Sequence, residues 1–167
     1  MENILLLDIS MTLKVLALGG DGIGPEVVGA ALQVLEVASK SIGLPLDISE
    51  DALGWTAWER YGTVIRPETL SKAHACDALL VGAVGDPKWD HIVIEGGPED
   101  QDGLMKLRHE LQVFACLRWA RAHAALLEHT SFKPEVIINT DLIVIRELCG
   151  GAMFSPTRGI DESGQSR

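Results

Sequence analysis

Two short apolar runs, Leu13–Leu18 and Ala78–Val84, constrain the fold most, because each has the length of a buried strand and ends at glycine. Between them, apolar residues recur at helical spacing. Pro25 and Pro67 stand where the first turn of a helix tolerates a missing N–H. Strands that alternate with helices are typical of the α/β class. The sequence therefore predicts an α/β fold with a largely parallel sheet and flanking helices.

The remaining periodicities give the expected bounds of the other elements. The spacing predicts helices over 27–38, 68–75 and 104–114, and further strands over 46–48 and 142–145. The apolar positions that define the first helix are Val27, Ala31, Val34, Leu35 and Ala38. Those that define the last helix are Leu104, Leu107, Leu111 and Phe114. The stretch 91–102 is acidic and aperiodic, which indicates a loop.

Charge and cysteine content narrow the classes of partner and compartment. The net charge of −10 argues against a nucleic-acid or anionic-membrane partner. Residues 1–100 hold 16 acidic and 6 basic residues, whereas 101–167 hold 8 of each, so the second region is the more attractive to an anion. The three cysteines form no CxxC pair, which favours reduced thiols in the cytoplasm or an organelle matrix.

Three arginines, Arg108, Arg118 and Arg146, stand within otherwise apolar segments. A buried guanidinium needs a partner, and its planar fork matches carboxylate oxygens two at a time. The segment therefore indicates an anion site. Alternatives stay open for single residues: Arg108 stands at the margin of an apolar helix face, and Arg146 would be solvated if its strand simply ends there. Strand alternation directs Arg146 and Glu147 to opposite faces.

Two loops carry weaker signals. The glycine-rich turn over 20–26 suits the approach of a phosphate or carboxylate, but a tight strand-to-helix turn needs glycine anyway. It lacks the dinucleotide fingerprint GxGxxG, because Pro25 and Glu26 fill the later positions. Two interpretations fit Asp86 and Asp90: their carboxylates hold a metal ion, or they cap turns. Capping is the simpler interpretation.

Taken in order, these motifs resemble the 3-isopropylmalate dehydrogenases, within the decarboxylating 2-hydroxy-acid dehydrogenases that include isocitrate and tartrate dehydrogenases. The matching pieces are GDGIGPE at 20–26, RPETL at 66–70, LLVGAVGDPKWD at 79–90, GLMKLRHELQVFACLR at 103–118, DLIVIRELCGGAMF at 141–154 and a trace at 158–160. The resemblance covers about the first half of a family member. It implies an isopropylmalate-dehydrogenase-like sheet that is incomplete, because the C-terminal half is absent. We expect an extension over 1–12, the fold portion over 13–154 and a disordered tail over 155–167.

The resemblance implies an NAD-dependent oxidative decarboxylation of a substituted malate, as in leucine biosynthesis, with Mg or Mn. It assigns Arg108, Arg118 and Arg146 to the substrate carboxylates and Leu104 to the apolar pocket for the isopropyl group. It aligns the cofactor region with Asp86, Pro87, Lys88, Trp89 and Gln101, the last at a position where glutamate is usual. The metal ligands belong to the half that is absent, so this chain is expected to hold none. A homodimer or a complementing chain is implied as partner.

Two departures keep other functions open. Met153 stands where the family has a catalytic tyrosine, and methionine cannot donate a proton. Trp119 follows Arg118 where the family has proline. The first alternative is a non-catalytic remnant or accessory subunit that binds a dicarboxylate. The second is a tartrate-dehydrogenase-like enzyme, against which the apolar Leu104 counts.

Overall fold

The computed structural model describes residues 12–95, 100, 102–148 and 150, which form two compact units. The first unit ends at Leu111 and the second begins at Gln112. The described elements of the first unit are β1 (Leu13–Gly20), α1 (Gly24–Ile42), β2 (Leu46–Asp51), α2 (Trp55–Tyr61), α3 (Pro67–Ala75), β3 (Ala78–Ala83) and α4 (Gly103–Glu110). Those of the second are β4 (Ala115–Arg121), α5 (Pro134–Ile137) and β5 (Asp141–Glu147). Short 3-10 helices cover Pro87–Trp89 and Ala124–His129. The predictions for 1–11 and 155–167 lie outside the described residues.

The first unit is built on a three-stranded parallel sheet in the order β2-β1-β3. The central strand β1 is buried over Val15–Leu18, which confirms the first predicted strand. The core around it contains Leu16, Leu18, Leu53, Val64, Ile65, Ala73 and Leu107. The predicted α/β fold and parallel sheet are therefore present. Among the described strands, β2 and β3 each pair only with β1.

The first helix is longer than predicted and buries a different face. α1 extends from Gly24 to Ile42, with proline in its first turn as expected and Gly43 in the left-handed conformation after its end. Val28 is buried, whereas Val27 and Val34 are 47% and 70% exposed. The helix is confirmed, but the spacing that located it does not mark its buried face, since Val27 and Val34 are exposed. The helix carries its own apolar residues on most of its sides, so its sequence alone did not determine which side packs on β1 and β3.

The last predicted helix ends earlier than its spacing indicated. α4 stops at Glu110, and Gln112 adopts a positive φ of 51°, a left-handed conformation that terminates helices. Leu107 is buried, and Leu104 and Leu111 pack against the core as predicted. Phe114 is instead outside the helix and 64% exposed, which corrects the prediction of a helix to 114.

The second unit contains an antiparallel pair, β4 and β5. The strand predicted over 142–145 is confirmed as β5, but it is not part of the parallel sheet, and β4 was not predicted. Leu148 is buried, and its N–H donates to the carbonyl oxygen of Phe114 at 2.8 Å. Large apolar side chains on both strands are exposed, among them Leu117, Trp119, Ile143 and Ile145.

Candidate functional site

Arg118 and Arg146 lie on the same face of the β4–β5 pair. Arg118 stands directly opposite Val144, and Arg146 stands opposite Cys116. Residues opposite each other in an antiparallel pair share a face, as do residues two apart on one strand. The two arginines are therefore diagonal neighbours, about 7–8 Å apart along the sheet surface. Their side chains are long enough to reach a single small ligand.

No carboxylate of the pair neutralises this face. The two acidic residues of the strands, Asp141 and Glu147, both project from the opposite face. Asp141 is engaged there by Arg121, whose Nη2 lies 2.9 Å from its Oδ2. Arg118 and Arg146 are both exposed, and neither forms an ion pair with another residue that the structure describes. We call the surface around these two residues the arginine face.

Arg108 and Leu104 belong to α4 in the first unit. Asp102 caps this helix, because its Oδ1 accepts hydrogen bonds from the N–H groups of Leu104 at 2.8 Å and Met105 at 3.3 Å. Arg108 is half-buried, and Leu104 is half-buried against the core of this unit. The structure thus brings Arg118 and Arg146 together within the second unit. The roles of Arg108 and Leu104 toward the same ligand stay predictions.

The candidate cofactor loop, Asp86–Trp89, follows β3 at the carboxyl edge of the parallel sheet. In open α/β sheets this edge is where ligands bind. The side chain of Asp86 accepts a hydrogen bond from the N–H of Lys88 at 3.0 Å, so Asp86 caps a turn, as its simpler interpretation predicted. The indole of Trp89 is stacked on that of Trp55, with centroids 5.5 Å apart. Sequence reasoning missed Trp55, because α2 has no helical period that marks it.

Lys88 is the basic residue of this loop, and it pairs with a side chain of α2. Its Nζ lies 2.7 Å from Oε1 of Glu59 and 4.5 Å from the centroid of the Trp89 ring. The hydrogen bond with Glu59 raises the pKa of Lys88. The ammonium group is therefore positively charged at neutral pH. The remaining predicted residues, Gln101 and Met153, lie outside the described residues, so their roles stay predictions.

The polar groups of Asp21, in the glycine-rich turn before α1, form hydrogen bonds within the first unit. Asp21 is 3% exposed, and its carboxylate accepts from the N–H of Thr56 at 2.7 Å and the N–H of Gly85 at 2.9 Å. Its own N–H donates to the carbonyl oxygen of Ala83 at 2.7 Å. Because Thr56 lies in the first turn of α2, Asp21 caps that helix from a distance. This arrangement favours the tight-turn interpretation of residues 20–26.

A second charged cluster fastens the end of β2 to α3. The side chain of Asp51 is 4% exposed and lies 2.7 Å from Nη2 of Arg66 and 2.9 Å from Nζ of Lys72. Burial raises the pKa of Asp51, but hydrogen bonds from Lys72 and Arg66 outweigh it and lower that pKa to about 2. The carboxylate is therefore ionised at neutral pH. This cluster is structural, since both of its cations already have a carboxylate partner.

The described part of the chain contains neither a cluster of metal-ligating side chains nor a membrane-spanning helix. No group of three or more His, Cys, Asp or Glu side chains stands close enough together there to hold a metal ion. None of the helices in that part combines the length and apolar character needed to cross a membrane.

The family model for isocitrate/isopropylmalate dehydrogenase matches residues 14–167. The chain belongs to the isocitrate/isopropylmalate dehydrogenase family. The chain is 42% identical over 149 residues to the 3-isopropylmalate dehydrogenase of Chlorobium luteolum. That match covers 89% of this chain and 42% of the relative. The chain thus spans well under half the length of this relative.

Solved structures of the isocitrate/isopropylmalate dehydrogenase family share the fold. A β-decarboxylating dehydrogenase from Thermococcus kodakarensis superimposes with a TM-score of 0.57 at 26% identity, over 81% of this chain and 34% of that one. Isocitrate dehydrogenase from Methylococcus capsulatus gives a TM-score of 0.68 at 24% identity, over 90% of this chain and 39% of that one. These similarities, together with the parallel sheet of the first unit, confirm the predicted fold class.

Proposed function

We propose that this chain contributes substrate and cofactor contacts to a 3-isopropylmalate dehydrogenase-like oxidoreductase, which oxidatively decarboxylates a substituted malate with NAD. The observation that carries the proposal is the arginine face. Arg118 and Arg146 project from one side of the β4–β5 pair, while Asp141 and Glu147 project from the other. Among the described residues, no carboxylate forms an ion pair with either guanidinium group, so the two together suit a small dianion as ligand.

The arginines would act by binding and orientation. Each guanidinium donates two parallel N–H groups to one carboxylate, so two of them fix both the position and the rotation of a dicarboxylate. They also stabilise negative charge that moves during oxidation and loss of CO₂. We include Arg108 as a third contact and Leu104 as the apolar contact for the substituent, on the basis of the family resemblance.

The loop Asp86–Trp89 is assigned to the nucleotide on the basis of the family resemblance, since Lys88 pairs with Glu59 and Trp89 stacks on Trp55 within the chain. We propose these residues, with Gln101, as NAD contacts. When bound, NAD would supply the hydride acceptor for C2 of the hydroxy acid, and Mg or Mn would supply a positive charge that stabilises the C2 oxygen as CO₂ is lost. The described residues hold no metal cluster, so we propose that the metal ligands come from outside them, in a homodimer or from a complementing chain.

Ligand binding tests the proposal before turnover does. We would titrate the 167-residue chain with 3-isopropylmalate by calorimetry, and compare Arg118→Ala and Arg146→Ala with Arg121→Ala. Arg121 is the matched control, because it lies on the same strand but pairs with Asp141 on the opposite face. Loss of a charged hydrogen-bond donor costs about 1.5–3 kcal/mol, so each face variant should bind at least about tenfold more weakly. Equal affinity of all three variants and the unmodified chain would overturn the assignment.

A dicarboxylate-binding accessory chain without turnover is the second candidate, and Met153 favours it. We would follow NADH absorbance with 3-isopropylmalate, NAD and Mg, using Arg146→Ala as the matched control. Binding without NADH formation would support the accessory function. NADH formation above the control would support the enzyme. Tartrate in place of 3-isopropylmalate tests the third alternative, for which the polar substrate should bind more tightly than the isopropyl-substituted one.

A further inference from the structure

The candidate cofactor loop is fastened to α2 by two side chains one helical turn apart. The indole planes of Trp55 and Trp89 are inclined by only 20°, with centroids 5.5 Å apart. One turn along α2, Glu59 holds Nζ of Lys88 at 2.7 Å. Residues four apart on a helix share a face, so a single face of α2 receives both the aromatic and the charged side chain of the loop.

The backbone hydrogen bonds within the loop are local. The N–H of Trp89 donates to the carbonyl oxygen of Asp86 at 2.9 Å, that of Asp90 to Pro87 at 3.2 Å, and that of Ile92 to Trp89 at 2.9 Å. These bonds give the loop its internal shape but do not fasten it to the rest of the unit. The contacts with Trp55 and Glu59 do, because they join it to a helix.

Trp55 is itself braced from the side of the core. Its ring meets Trp58 edge to face, with centroids 5.9 Å apart and planes inclined by 76°. Trp58 packs against the buried core of the first unit. At the start of the helix, the carboxylate of Asp21 holds the N–H of Thr56. The loop therefore rests on a tryptophan whose position is fixed by the core and by the turn after β1.

We propose that Trp55 is the positioning residue of the cofactor loop, with Glu59 in support. Trp55 holds the ring of Trp89 and, through it, the backbone of Asp86–Trp89 in the arrangement that meets NAD. This inference rests on the proposed function, which makes the loop a cofactor contact. Trp55 does not itself need to touch the cofactor.

The first measurement concerns the loop alone and needs no cofactor. We would compare backbone hydrogen exchange of the peptide 86–92 in the unmodified chain with that in Trp55→Ala and Trp55→Phe. Trp119→Ala is the control, because Trp119 is a tryptophan that is 69% exposed in the other unit. Trp55→Ala should raise exchange in this peptide about tenfold, since stacked aromatic pairs contribute up to about that factor. Trp55→Phe should restore most of the protection. Equal exchange in all variants would overturn the inference, whatever the chain does with NAD.

The second measurement is NAD affinity by calorimetry, with 3-isopropylmalate affinity as the internal reference. Trp55→Ala should weaken NAD binding about tenfold and leave 3-isopropylmalate binding unchanged, with rescue by Trp55→Phe. Glu59→Gln should weaken NAD binding less than Trp55→Ala does. Its control is Glu36→Gln, which removes an exposed ion pair with Lys40 on α1 and should leave NAD affinity unchanged. A looser loop with unchanged NAD affinity would overturn the inference. If the unmodified chain does not bind NAD, the cofactor part of the proposed function is overturned as well. Failure of the proposed function is therefore distinguishable from failure of the Trp55 inference.

Discussion

Arg118 and Arg146 are diagonal neighbours on one face of an antiparallel strand pair, and the residue that links them is Val144, directly opposite Arg118 and two positions before Arg146. The relationship depends on the register of β4 and β5 and not on the distance between the two arginines in the sequence. A shift of one residue on either strand would put the arginines on opposite faces.

This register predicts the effect of placing a carboxylate between the arginines. Val144→Glu should pair with Arg118 across the strands and lower the affinity for 3-isopropylmalate about tenfold, because the face loses one of its two free cations. Ile145→Glu is the matched control, since that position is also exposed but belongs to the other face. Calorimetric titration of both variants measures the difference. If both variants bind as tightly as the unmodified chain, the arginine face is not the ligand site.

The buried carboxylate of Asp21 should be a main determinant of the stability of the first unit. Asp21→Ala removes the acceptor of two N–H groups, those of Thr56 and Gly85, and leaves them without a partner. We expect the free energy of unfolding to fall by about 2–3 kcal/mol. Urea denaturation measures the change, with Asp47→Ala as a control at an exposed aspartate of β2. A loss no larger than that of the control would contradict the capping role.

Gly54 should tolerate a side chain less well than Gly62. Both have a φ of 71°, but a Cβ at Gly54 would lie 2.3 Å from Oδ2 of Asp21, whereas a Cβ at Gly62 meets nothing within 4 Å. Gly62 is in the left-handed conformation with ψ 19°, so Gly62→Ala should lose about 1 kcal/mol. Gly54 has ψ −143°, a backbone conformation that side chains avoid more strongly, so Gly54→Ala already loses more from the backbone. Gly54→Ala should lose clearly more, because it also displaces the carboxylate that caps α2. Equal unfolding free energies for the two variants would contradict the close approach of Asp21.

Acid should weaken the link between β2 and α3. The folded-state pKa of Asp51 is about 2, below its ordinary value of 3.8, so its stabilising contribution is present above about pH 4 and is lost as the pH falls toward 2. Asp51→Asn should therefore reduce the loss of stability between about pH 5 and pH 3. Urea denaturation at both pH values gives the comparison. An unchanged pH dependence in the variant would show that other carboxylates account for the acid sensitivity.

The sequence predicted elements well where one face of a segment is buried. Leu13–Leu18 and the helix after Pro67 were located from apolar runs and a proline at the first turn, since these signals report burial and local backbone geometry. The prediction failed where the apolar pattern had no single phase, as at Val34, or where one residue ends a helix, as Gln112 does with its positive φ. β4 was missed because its residues are mostly exposed and its strand form depends on pairing with β5.

For the candidate site, too, some features were predictable from the sequence and others were not. Its residue types, above all Arg108, Arg118, Arg146 and the loop from Asp86, were recognisable from sequence, because motif order and spacing carry the family resemblance. The supporting contacts were not. Trp55 has no local signal that connects it with Trp89, and Asp21 gives no local sign that it caps a helix that begins 34 residues later.

The sequence by itself determined the α/β class, the positions of the strands β1 and β3 and the family, because periods of two and 3.6 residues and short motifs are local properties of the chain. Only the tertiary structure decided that Arg118 and Arg146 share a face while Asp141 and Glu147 occupy the other, and that α2 contacts the candidate cofactor loop. The physical reason is that strand register, remote capping and ring stacking are set by contacts between segments far apart in sequence, where no local pattern constrains them.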